Sequence, residues 1–180
     1  MKVTKFDIEG PLLLEPKVFY DDRGLFFESY NELELAKAGI TDKFVQDNES
    51  VSKKNVLRGM HFQAPPYAQG KLVHVVFGSV IDIVIDIREE SPTFTKYIML
   101  TLSADKKQLF WIPPGFAHGF LALEDNTIFR YKCTAPYNNA SERGIIYNDS
   151  DIGIPWPGDN FIVSDKDLVL PALKLSEKIF

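Results

Sequence analysis

Lys71-Leu72-Val73-His74-Val75-Val76-Phe77-Gly78-Ser79-Val80-Ile81-Asp82-Ile83-Val84-Ile85-Asp86-Ile87-Arg88 is the stretch on which the fold turns. Residues 71–77 and 80–88 are rich in β-branched side chains, and the turn signal Gly78-Ser79 separates them, so they read as two neighbouring strands. Side chains alternate between the faces of a strand. Lys71 therefore shares a face with Val73, Val75 and Phe77, an unusual setting for a charge. In the second run Ile81, Ile83, Ile85 and Ile87 share one face while Asp82, Asp86 and Arg88 lie opposite, so both faces are covered or lined.

Working outward, β-like runs recur at 25–30, 56–62, 97–102, 108–112, 119–123 and 127–133, with Glu124-Asp125-Asn126 among the intervening turn signals. In the last run Phe129, Tyr131 and Cys133 share a face and Arg130 and Lys132 take the other, which points Tyr131 inward. A helix is expected over 31–38, because Asn31 and Glu34 form a capping pair and Gly39 is a suitable stop. A small helical region is expected near the C-terminus. Many short strands without crossover helices predict an all-β jelly-roll barrel or sandwich rather than a parallel α/β sheet. The 11 Pro and 11 Gly are scattered rather than pooled in a linker, so residues 1–180 read as one domain.

Composition narrows the function classes. Lys+Arg number 20 against 25 Asp+Glu, a net charge of −5 that leaves no basic surplus for a nucleic-acid backbone. The charged N-terminus lacks the apolar core of a signal peptide, and no apolar run is long enough to span a membrane. One cysteine closes no disulfide within the chain, which fits a reducing, cytoplasmic location. With three histidines far apart and no Cys-x-x-Cys, no local metal motif exists, and any metal site would have to be assembled by the fold. The 14 Phe, 7 Tyr and 2 Trp suit β-packing first and ligand stacking second.

The polar residues with chemical potential are His61, Lys71, His118 and, by its face, Tyr131. A histidine titrates near neutrality and serves as a base. A lysine among apolar side chains can stabilise a developing oxyanion, and a tyrosine can deliver a proton from another side. Together they describe proton transfer next to a carbonyl. Taken singly, each has a blander reading: a histidine satisfied in the core, a lysine snorkelling from the barrel mouth, a tyrosine packed among other aromatics. His74, opposite in parity to Lys71, keeps the structural reading. Arg23 and Arg58 could equally be surface ion pairs.

Order and spacing raise these residues above the bland readings. Asp22-Arg23-Gly24-Leu25-Phe26-Phe27-Glu28, Phe44-Val45-Gln46-Asp47-Asn48, the run from Ser52 through Leu57-Arg58-Gly59-Met60-His61-Phe62-Gln63, Gln69-Gly70-Lys71, Asp86-Ile87-Arg88 with Ser91-Pro92-Thr93-Phe94, and Pro114-Gly115-Phe116-Ala117-His118-Gly119-Phe120 occur in that order. Tyr131-Lys132, Asn148-Asp149, Ile154-Pro155-Trp156-Pro157 and Ser164-Asp165-Lys166-Asp167 follow. The whole resembles the dTDP-4-dehydrorhamnose 3,5-epimerase family, cofactor-independent cupin-type isomerases of dTDP-L-rhamnose synthesis for cell-surface polysaccharide such as lipopolysaccharide.

That resemblance implies a cupin-like jelly roll, a homodimer, and dTDP-4-keto-6-deoxy-D-glucose as substrate. It implies His61 as the base, Asp167 as its supporting carboxylate, Tyr131 as the acid on the opposite face and Lys71 as the enolate-stabilising cation. His118 would contact the substrate near them; Arg23, Glu28, Gln46, Asn48 and Arg58 would contact the nucleotide, Tyr137 would stack on thymine, and Glu142 and Lys166 would add further contacts. Asp82 remains a rival to Asp167 as the partner of His61. Arg58 and His61, three apart, belong on opposite faces of a regular strand, so a bulge at Gly59 or a neighbouring subunit must reconcile them. Thr95 stands where the family commonly has glycine, and Tyr97 where tryptophan is common. Relatives that epimerise a single carbon share these motifs and remain an alternative. A metal-dependent cupin would normally show His-x-His, absent here, and a non-catalytic sugar-nucleotide binding module would not need His61, Lys71 and Tyr131 together.

Overall fold

The computed structural model describes residues 1–175 and 180. In chain order the strands are β1 (Lys2–Lys5), β2 (Leu12–Glu15), β3 (Val18–Asp21), β4 (Gly24–Phe27), β5 (Gln46–Ser52), β6 (Leu57–Gln63), β7 (Lys71–Phe77), β8 (Ser79–Asp86), β9 (Tyr97–Ser103), β10 (Leu109–Ile112), β11 (Phe116–Ala122), β12 (Thr127–Cys133) and β13 (Glu142–Gly144). Two short helices, α1 (Glu32–Lys37) and α2 (Asp165–Leu168), and a 3-10 turn (Leu173–Leu175) complete the described elements.

The strands form a six-stranded sheet in the order β1-β2-β10-β7-β12-β5 and a five-stranded sheet in the order β13-β6-β11-β8-β9, with β3-β4 as a separate hairpin. Neither sheet closes on itself, so the jelly roll is a sandwich rather than a barrel. Val73, Val75, Phe110, Ile112 and Phe129 of the first sheet meet Val80, Val84, Leu102, Phe116 and Phe120 of the second to form the central core. Behind the second sheet Ile83, Ile85 and Ile87 pack with Ile145, Ile154, Trp156 and Phe180. The C-terminal segment thus covers the isoleucine face of β8, leaving Asp82 and Asp86 on the face with Val80 and Val84.

Asp86 has no exposed surface. Burial pushes its carboxyl upward, but hydrogen bonds from Arg88, Ser91 and Thr93 outweigh this and hold it at about 2. The Asp86-to-Thr93 motif is therefore a clasp between β8 and the following turn, which Thr95 leaves with φ 69. A β-branched residue is unfavourable in that left-handed region, which accounts for the glycine expected there.

The helix expected over 31–38 is α1. The Asn31 side chain accepts from the backbone N–H groups of Leu33 and Glu34 at 3.0 and 3.2 Å, and Gly39 takes φ 90 beyond its end. Glu34 pairs with Lys37 and the N-terminal amine. Strands at 71–77 and 127–133 match their expected bounds; that at 25–30 stops at Phe27, and that at 119–123 begins earlier, at Phe116.

Between β6 and β11 the register shifts: His61 faces His118, whereas Arg58 faces Phe120. Three steps on β6 thus oppose two on β11, which is a β-bulge. Gly59 sits there with φ 134, and a Cβ added to it would lie 2.5 Å from Gly119 Cα. Only glycine satisfies both constraints. The bulge cancels the parity conflict and brings Arg58 and His61 to one cavity, with no need for a second subunit at either position.

Candidate active site

Two cavities, of about 520 and 330 Å³, lie between the sheets and are both lined by His61, Lys71 and Tyr131. Such volumes are ordinary for small-molecule sites. The larger also takes in Arg58, His118, Lys166 and Asp167; the smaller takes in Gln46, Asn48, Tyr137 and Glu142. His61 and His118 come from β6 and β11 of one sheet, Lys71 and Tyr131 from β7 and β12 of the other. Base and phenol therefore enter the space from opposing sheets.

His61 Nε2 lies 2.7 Å from Asp167 Oδ1, and the same carboxylate accepts from the Gly59 backbone N–H at 3.4 Å. An N–H at Nε2 facing a carboxylate fixes the tautomer and leaves Nδ1 as the basic nitrogen. Asp167 is only 4% exposed. Burial raises its carboxyl, yet the His61 hydrogen bond and charge, with help from Gly59 and Ser164, bring it below the usual carboxylate range. Its helix α2 is capped by Ser164, whose hydroxyl accepts from the Asp167 backbone N–H. The rival carboxylate has another partner: both oxygens of Asp82 lie within 3.1 Å of His118 Nε2. Asp167 serves His61, and Asp82 serves His118, whose ring stacks on Phe129.

Lys71 Nζ crosses between the sheets to donate to the His61 carbonyl at 3.3 Å. Burial pulls its ammonium below the ordinary value, opposed by the negative charges around it, Asp82 and Glu142 included. Burial also pushes the Tyr131 phenol above its ordinary value near 10, so it holds its proton at neutral pH. His74 behaves as its parity implied. It lies outside both cavities, and burial, followed by Arg130 and Lys132, depresses it to about 4.

Of the residues expected to hold the nucleotide, Arg58 donates to Ser52 at 3.2 Å, and Gln46 accepts from the Tyr137 backbone N–H at 2.8 Å. The Tyr137 ring is half exposed, with its hydroxyl 2.7 Å from Glu142. Glu142 in turn pairs with Lys166 at 2.6 Å. Asn48 binds Gln46 and the buried Cys133 thiol. Two expected contacts are not brought to these cavities. Arg23, at the β3-β4 turn, is exposed and paired with Asp21, and the exposed Glu28 accepts from the Asn31 side chain that caps α1.

Ser50 and Ser52 were missed from sequence. They continue the period-two series Gln46, Asn48 along β5, a polar ladder that alternation could have revealed. Gln63 also escaped notice; it binds the Tyr67 and Pro136 carbonyls and the Asn138 N–H, fixing the loop that carries Tyr137. Among the described residues no three His, Cys, Asp or Glu side chains cluster as metal ligands.

Residues 5–175 match the family model described as dTDP-4-dehydrorhamnose 3,5-epimerase. The Shigella flexneri enzyme of that name is 51% identical over 169 residues, 93% of each chain. A Bacillus anthracis dTDP-4-dehydrorhamnose 3,5-epimerase solved with TDP and PPi bound superposes with a TM-score of 0.93 at 44% identity, covering 95% of this chain and 98% of that one. A Legionella pneumophila dTDP-6-deoxy-D-glucose-3,5-epimerase in complex with dTDP-4-keto-L-rhamnose gives a TM-score of 0.94 at 44% identity, covering 98% of this chain and 94% of that one. A match over nearly the whole chain, at this level of identity, means that this chain belongs to the dTDP-4-dehydrorhamnose 3,5-epimerase family.

Proposed function

We propose that the chain inverts C3 and C5 of dTDP-4-keto-6-deoxy-D-glucose, giving dTDP-4-keto-L-rhamnose for dTDP-L-rhamnose synthesis. The observation that carries the mechanism is the placement of a carboxylate-backed imidazole and a protonated phenol on opposing sheets of one cavity. His61 Nδ1 takes the proton at C3, α to the C4 carbonyl, and the electron pair moves onto the carbonyl oxygen as an enolate. Lys71 stabilises that oxyanion. Tyr131 then donates its proton to C3 from the other face, the enolate collapses to the ketone, and the centre is inverted. Solvent restores the proton on the phenolate and removes the one on the imidazolium, after which C5 undergoes the same sequence. The step is a proton transfer throughout and balances without redox.

Arg58, Gln46, Asn48, Tyr137, Glu142 and Lys166 are assigned to binding the thymidine diphosphate, with His118 on the sugar. Guanidinium forks suit a pyrophosphate, and the exposed Tyr137 ring suits a base. Incubation of the protein with the keto-sugar nucleotide in heavy water, followed by NMR, should place deuterium at both C3 and C5. Deuterium at one carbon would reassign the chain to the single-carbon epimerases, and none at either would refute epimerisation.

A homodimer accounts for Arg23 and Glu28. An isolated two-stranded hairpin is at best marginally stable, yet β3-β4 exposes Phe19, Tyr20, Leu25 and Phe26, at 50, 74, 44 and 65%. Val45, Val51, Val76 and Phe77 of the six-stranded sheet and its approaches are exposed as well. Docking the hairpin on a second copy would bury this apolar surface and offer Arg23 to the second copy's nucleotide. Sedimentation should give a dimer, and Arg23→Ala should weaken dTDP binding about tenfold, as expected for a lost charged contact; a monomer with unchanged binding would refute this arrangement. A reducing cytoplasmic location fits the free, buried thiol of Cys133. Among the described residues no helix is long and apolar enough to cross a membrane.

A further inference from the structure

The Ser50 hydroxyl is the one side-chain oxygen or nitrogen among the described residues that is buried without a hydrogen-bond partner. Buried polar groups are almost always paired, because an unmade hydrogen bond forfeits the one water supplied in the unfolded chain. An exception in a ligand-sized cavity asks for a ligand.

The surroundings of Ser50 define the kind. It lines the larger cavity with Arg58, His61, His118 and Asp167. Its neighbours of the same parity on β5 are otherwise engaged: Asn48 lines the smaller cavity and binds Gln46, and Ser52 accepts from Arg58. On β12 its register partner is Phe129, and the next residue on that face is Tyr131, the register partner of Asn48. Ser50 thus stands on the sheet that carries the phenol, in the cavity that His118 also lines and outside the one lined by Gln46, Tyr137 and Glu142. Its hydroxyl turns about a single bond between staggered positions, and it can both donate and accept.

Building on the epimerase reading above, we propose that Ser50 is a substrate-binding residue whose hydroxyl donates to an oxygen of the keto-sugar ring, holding the sugar between His61 and Tyr131. The sugar, rather than the diphosphate or the base, completes its hydrogen bonding.

Ser50→Ala tests this, assayed beside the wild type for turnover of the keto-sugar nucleotide and for binding of dTDP alone. The expected result is a fall in kcat/KM of roughly three- to tenfold, the range for one neutral hydrogen bond, with dTDP affinity unchanged. Retained dTDP binding also certifies the fold of the variant. An unchanged kcat/KM would overturn the proposal, since water would then serve the hydroxyl. A loss of dTDP affinity by the same factor would overturn it too, by making Ser50 a diphosphate contact. Failure of the wild type to turn over would refute the epimerase reading instead, so the two failures are distinguishable.

Discussion

His61→Gln should lower kcat by 10²- to 10⁴-fold, the usual contribution of a positioned general base, and should stop deuterium entry at C3 and C5. Glutamine is the informative replacement. Asp167 is 4% exposed and bonds Nε2 of the imidazole, and removing the ring outright would strip a buried carboxylate of its 2.7 Å partner and leave it the longer contact from Gly59, a costly change in its own right. The glutamine amide nitrogen reaches about as far as Nε2 and still donates to Asp167, so the fold and the α2 anchorage survive while the basic Nδ1 disappears. Binding of dTDP should be within twofold of wild type, because the nucleotide contacts proposed above lie on other residues. Deuterium exchange at the wild-type rate in His61→Gln would show that another group is the base. His118, backed by Asp82, would then be the next to examine.

How far the sequence could lead is visible in three strands. β7 and β12 were legible to the residue because their β-branched and aromatic runs stand between turn signals, with Val73, Val75 and Phe129 turned into the core, and the polar residues that share that face, Lys71 and Tyr131, line both cavities. β5 was invisible for the converse reason. Its inner positions Gln46, Asn48, Ser50 and Ser52 face ligand space or Arg58, and its outer positions Asp47 and Glu49 pair with Lys132 and Arg130. With both faces polar, no hydrophobic period of two remains. A strand that serves the site loses the signal by which strands are recognised.

The pairing of carboxylates with histidines was beyond local reading as well. Asp167 and His61 are 106 residues apart, joined only because the C-terminal segment folds across the back of the five-stranded sheet. Parity put Asp82 on a polar face, but could not tell which histidine it would meet. The bulge at Gly59 was one of two ways offered to reconcile Arg58 with His61. Choosing it required the close approach of Gly119 from a strand some sixty residues on, which no spacing rule encodes. Arg23 and Glu28 mark the complementary limit: their motif was legible, but that both would lie exposed, paired with Asp21 and Asn31 and away from the two cavities, was not.

Tyr131→Phe should separate proton removal from inversion. The substitution deletes one oxygen and keeps the ring that packs beside Phe129 at 6.2 Å, so the cavity wall and Lys71 are retained. Burial holds the Tyr131 phenol above its ordinary value, which keeps it a proton donor across the neutral range. The donor function therefore disappears with the oxygen and not with pH. His61, on the opposing sheet, can still remove the C3 proton, exchange it with solvent and return a deuteron to the same face. Deuterium should accordingly enter C3 with retained configuration, while formation of the inverted sugar falls by 10²- to 10³-fold, within the range for loss of a general acid. Inversion at the wild-type rate would mean that the second proton comes from water or another side chain, and would remove Tyr131 from the mechanism. Loss of exchange together with inversion would instead tie the phenol to enolate formation, beside Lys71. Exchange without inversion is the outcome required by the proposed acid and base on facing sheets, since one face would still lose and regain its proton while the other had none to give.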